Sequence, residues 1–271
     1  MESLKSARPA YDHEKDVELS IADIHTALKI MDKIKPPDLP RPKTEDNKNT
    51  PELISWATRV YLFSAFCQFR EVLRSTTTLV GANQVPVVFL CCRGLFEVAA
   101  HAYYVKEKMV KKIDESDWDA AWSLLLKVNF GSRYHRERAK DIDDQPVYPN
   151  SIHINDTLDA FNKYYGEDGK NKQAEEDYEY ISEFCHPNSN AFTNHLDWAS
   201  DLNDSVVKFE KPDPSLMWLA LPYAAIACDA FLRSAGDLLK RVGDETLIAA
   251  WEEFHEKTSP ERPWRTGLFC S

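Results

Sequence analysis

The stretch that decides the fold runs from Val85 to Lys112, "VPVVFLCCRGLFEVAAHAYYVKEKMVKK". Pro86 suits a first helical turn, where its missing N–H costs nothing, and no second proline interrupts the residues up to Lys112. Polar residues in its apolar part are few and regularly placed: Arg93, Glu97 and His101 recur at i, i+4 and i+8. That interval sets the three along one line of an α-helix and leaves the other faces for a core. Directly upstream, "TPELISWATRVYLFSAFCQFREVLRSTTTL" (Thr50 to Leu79) reads as another long helix, with Thr50 as its cap and Pro51 in its first turn. The link "VGANQ" is short, so the two helices form an antiparallel hairpin.

The same pattern extends outward. "VELSIADIHTALKIMDKIK" places Leu19, Ile21, Ile24, Leu28 and Met31 on one helical stripe, and "PPDLPRPKTEDNKNT" then reads as an extended linker. Residues 1–49 are thus expected as an N-terminal helix plus proline-rich linker, and residues 50–271 as the bundle domain. "SDWDAAWSLLLKVNF" is a helix with Ser116 as its cap and Asp119 at the reciprocal position. "DTLDAFNKYY" and "DETLIAAWEEFHEK" add helices, and "PSLMWLALPYAAIACDAFLRSAGDLLKRV" reads as a buried central helix kinked near Pro222. "DSVVKFEKPD" alternates like a short strand whose partner would be "SIHI" (Ser151 to Ile154). The expected architecture is all-α, a bundle of about six to eight helices with at most a short β hairpin.

Composition narrows the function classes. The 271-residue chain carries a formal charge of −11 and a pI of about 5.2, which does not suit a broad grip on nucleic acid. Two basic islands, "KEKMVKK" and "SRYHRERAK", read as solvated segments. The six cysteines form no CxxC pair and read as reduced, buried hydrophobes, the pattern of a cytoplasmic protein. The start lacks a signal-peptide segment, and the apolar run from Leu216 to Cys228 is too short for a bilayer, so no membrane role is expected. No Walker loop, GxGxxG, HExxH or GxSxG occurs, and Cys185, His186 and His195 fit no zinc spacing. No metal and no cofactor are expected.

The chemistry-bearing segment is "YEYISEFCHPNSNAF", Tyr178 to Phe192. Tyr178, Ser182 and His186 repeat the i, i+4, i+8 spacing, and Pro187 should end the helix at His186. A helix C-terminus favours imidazolium, and Ser182 one turn earlier can orient the ring, an arrangement suited to general acid–base work. Helices with few polar residues tend to bury them together. Arg93, Glu97, Ser182 and His186 then make one polar pocket, with Tyr178, Asn188 and His101 as substrate-binding candidates. A buried Arg93–Glu97 pair that only fixes helix register is the other reading of these residues.

"RGLFEVAAHAYYV" and "YEYISEFCHPN" resemble the Arg-x3-Glu and Ser-x3-His motifs of a group of uncharacterised, mostly bacterial helical proteins. That group is remotely similar to HEPN-type domains, which include ribonuclease toxins and phage-defence effectors. The resemblance spans roughly residues 50–242. It implies an often homodimeric helical bundle handling RNA or a nucleotide. His186 would be the acid–base and Arg93 the phosphate-charge group of a metal-independent ribonuclease, with Glu97 and Ser182 in support. The chain departs from the HEPN nuclease signature, which sets arginine and histidine a few residues apart on one helix segment. A non-catalytic module that binds a partner protein or small ligand therefore stands beside the enzyme as an expectation.

Overall fold

The computed structural model describes residues 13–43, 49–131, 149–165, 172–185 and 213–258. Eight α-helices occupy them: α1 His13–Met31, α2 Pro51–Gly81, α3 Val85–Asp114, α4 Trp118–Phe130, α5 Ile154–Tyr165, α6 Gln173–Glu183, α7 Leu221–Arg241 and α8 Thr246–Lys257. A 3₁₀ segment, Pro214–Leu219, precedes α7. No strand occurs among the described residues, so the chain is an all-α bundle. "SIHI" is irregular up to His153 and then enters α5. Residues 204–212 of its expected partner lie outside the described residues.

Local chemistry explains where the helices start. Leu53 N–H donates to Thr50 Oγ1 at 3.3 Å, and Pro51 fills the first turn of α2. Asp117, not Ser116, caps α4, accepting from the Ala120 amide at 3.1 Å. Ser116 has φ 54° in the turn that closes α3, which removes it from the extended backbone a cap requires. Pro222 does not kink a continuous helix. It stands in the first turn of α7, because its ring and absent N–H exclude it from a helix interior.

Helices α3 and α7 form the centre, with α1, α2, α5 and α8 packed around them. Almost every side chain of α7 from Leu221 to Leu239 is buried, because neighbours cover it on all sides. Phe69 of α2 stacks on Phe231 of α7 at 4.4 Å, and Phe96 of α3 meets Phe161 of α5 edge-on at 5.3 Å. Gly236 lets α8 approach α7 closely: a Cβ there would lie 2.7 Å from the Ile248 amide nitrogen. Ile24, Ala27, Ile30 and Met31 of α1 belong to this same core, so the N-terminal helix packs on α7 and α8. Two helical segments, Val85–Asp114 and Ser215–Arg241, are long and apolar enough to cross a membrane. They are the two central helices, with 50% and 72% of their most apolar stretches buried in the bundle.

Candidate functional site

The two polar lines meet, and they meet through Tyr178. Arg93 Nε donates to Glu97 Oε1 at 3.0 Å along α3. Across the groove to α6, Arg93 Nη2 donates to the Tyr178 hydroxyl at 2.6 Å, and that hydroxyl donates to Glu97 Oε1 at 2.8 Å. The guanidinium also sits 5.0 Å from the centre of the Tyr178 ring. Arginine and tyrosine thus close on one carboxylate oxygen. Burial works to lower the Arg93 pKa, but its bonds to Tyr178 and Glu97 outweigh it and hold it raised. Burial, reinforced by Glu97, raises the Tyr178 phenol.

The Arg93 and Glu97 side chains are 25% and 39% exposed, so this pair sits at the rim of the core rather than sealed within it. Solvent screens it accordingly. Arg93→Ala is expected to cost about 1–2 kcal/mol in chemical denaturation, mostly from the partners left behind, and not the 3–5 kcal/mol of a fully buried pair.

His101 departs from the line. Four residues advance a helix by about 400°, so each step along Arg93, Glu97 and His101 turns about 40° further around the axis. By His101 the side chain has rotated away from α6 and reaches α2, where the Tyr61 hydroxyl lies 2.7 Å from Nδ1. Burial lowers the His101 pKa and raises that of Tyr61. The phenol and Nδ1 share one hydrogen bond, whose donor is set by the tautomer of the ring.

Ser182 lies on α6 one turn beyond Tyr178, 7% exposed, and its Oγ has no hydrogen-bond partner among the described residues. The helix ends at Glu183, where the Phe184 backbone N–H caps on Ile181 and its ring stacks on Phe89 at 4.3 Å. That end comes three residues before the histidine. His186, Pro187, Asn188 and His195 lie outside the described residues. Burial raises the pKa of Cys91, Cys92, Cys185 and Cys228, which leaves no activated thiol among these four. No group of three or more His, Cys, Asp or Glu among the described residues is placed to hold a metal ion.

Beside this network opens a cleft of about 530 Å³ between α2, α3, the end of α4 and the start of α5. Glu97 and His101 line it together with Tyr61, Ser64, Gln68 and Asn129, and Val98, Ile152 and Ile154 supply apolar wall. Among the described residues, no lysine or arginine lines it. Ser64, Gln68 and Asn129 carry no sequence signal, because polar residues on the outer face of a helix look alike whether they meet water or a ligand. Two buried carboxylates also lie outside the expected site. Asp177 is bonded to Gln173 at 2.8 Å and lies beside the Tyr165 and Tyr223 hydroxyls. Asp229 is bonded to Tyr164 at 2.5 Å and Trp251 at 3.1 Å. Asp229 had a readable signal, since it interrupts the apolar run "LALPYAAIACDAF".

No family model, curated protein or solved structure matches the chain.

Proposed function

We propose that this protein is a non-catalytic helical module that binds a small uncharged polar ligand in the cleft of α2, α3, α4 and α5. The observation that carries this reading is mutual satisfaction: Arg93, Glu97 and Tyr178 are bonded to one another, and His101 is bonded to Tyr61. Among the described residues, the lining offers no lysine or arginine for a phosphate, and one Glu97 oxygen and His101 Nδ1 are already bonded within the protein. What remains is an array of donors and acceptors on Gln68, Asn129 and the second Glu97 oxygen against aliphatic wall, which suits a planar, amide-bearing or nucleobase-like molecule. The volume is in the range of small-molecule sites.

A thermal-shift panel of free nucleobases and uncharged nucleosides tests this. At least one compound should stabilise the wild type, and Gln68→Ala together with Asn129→Ala should weaken its binding about tenfold or more, as loss of two hydrogen bonds implies. A flat panel refutes the reading.

A second reading, the HEPN-like metal-independent ribonuclease or toxin effector, is favoured by one observation. Ser182 Oγ is buried without a partner among the described residues, and it stands four residues before His186 in the sequence, the interval of the Ser-x3-His motif. This reading predicts cleavage of RNA, or growth arrest on expression, abolished by His186→Ala in a chain that still folds. Activity that survives His186→Ala eliminates it.

A further inference from the structure

Four prolines fall within seven residues: Pro36, Pro37, Pro40 and Pro42. Each ring fixes its own φ and drives the preceding residue to extended backbone, so the tract is biased toward polyproline II before any packing occurs. The sequence reads it as a linker, yet the structure holds it down. Trp56 Nε1 donates to the Leu39 carbonyl at 2.9 Å. The Arg41 guanidinium lies 5.8 Å from the centre of the same indole. At the tract's start, Arg70 Nη1 donates to the Ile34 carbonyl at 3.2 Å. Leu39 and Pro42 are half-buried, whereas Pro36, Pro37, Pro40 and Arg41 are exposed. Beneath the tract a cavity of about 590 Å³ remains, walled by Trp56, Trp118, Ile113 and Val242.

An indole N–H that reads a carbonyl between prolines, with a flanking cation over the ring, is how aromatic-lined grooves recognise polyproline II peptides. We propose that the Trp56 face of α2 is a receptor for proline-rich peptides of the pattern Pro-x-Leu-Pro-Arg, and that the chain's own residues 36–42 occupy it in the isolated protein. The occupant is seen in its seat. The groove reads a main-chain carbonyl, a leucine and a cation, and none of these contacts requires the peptide to belong to the same chain. The tether gives the internal tract an effective concentration in the millimolar range, so an outside peptide competes well only when the internal tract is weakened.

The test uses the full chain with ¹⁵N-labelled tryptophan, the Trp56 indole resonance being assigned by its loss in Trp56→Phe. In wild type that N–H should be bonded and slow to exchange. In Pro37→Gly/Pro40→Gly it should move to the solvent-exposed position, and the unlabelled peptide PPDLPRP should return it saturably to the wild-type position. The same peptide with alanine for every proline should not. Circular dichroism and melting temperature establish that the double variant is folded; if it is not, Pro40→Ala carries the same titration. The proposal is overturned if the weakened tract keeps the wild-type resonance, if PPDLPRP fails to restore it, or if the alanine peptide restores it equally.

Discussion

Asp229→Ala is expected to lower the free energy of unfolding by about 3–5 kcal/mol, read from urea denaturation, the sum of two donors each losing its acceptor. The residue is 6% exposed in the middle of α7, and its two oxygens accept from the Tyr164 hydroxyl and the Trp251 indole. Alanine leaves both donors without that acceptor, and each such donor costs about 1–3 kcal/mol. The carboxylate joins α5 and α8 to the central helix, so its loss should loosen the two together. Asp229→Asn keeps one acceptor oxygen and should recover about half of the loss. If the alanine variant stays within about 1 kcal/mol of wild type, the carboxylate does not clamp these helices.

The second large effect is a pH dependence set by Asp177. Burial raises its pKa to about 6 from an ordinary value near 3.8, against the opposing pull of Gln173, Tyr165 and Tyr223. The unfolded chain therefore releases this proton near pH 4 and the folded chain holds it to about pH 6. Between those values the native state binds more protons, so this residue's contribution to stability falls as pH rises, and levels off above about pH 6. A roughly hundredfold difference in proton affinity corresponds to about 3 kcal/mol. Asp177→Asn, with no proton to lose, should show no such decline. The difference between wild-type and variant unfolding energies, followed from about pH 4 to about pH 7, isolates the effect; a difference constant with pH excludes it.

The fold was largely legible from local rules. Apolar spacing located the long helices, and Thr50–Pro51 marked the start of α2 by capping chemistry that depends on adjacent residues alone. Where two local rules compete, one segment cannot say which wins. Ser116 looks like a cap until the turn that closes α3 claims its backbone, and Pro222 looks like a kink until the preceding residues wind into 3₁₀ geometry. The helix expected to reach His186 stops at Glu183, where Phe184 stacks on Phe89.

For the site, helical spacing alone marked the polar residues that are costly to bury without partners: Arg93, Glu97, His101, Tyr178 and Ser182. Helical spacing is a property of one segment, and burial of an unpaired polar group is costly wherever it occurs. Which groups become those partners follows from how the helices pack. That packing joined Arg93 and Glu97 to Tyr178, turned His101 through the helical twist to Tyr61, and laid the proline tract on Trp56. Those choices rest on how helices far apart in sequence cross and rotate against one another, and no interval within a single segment encodes that angle.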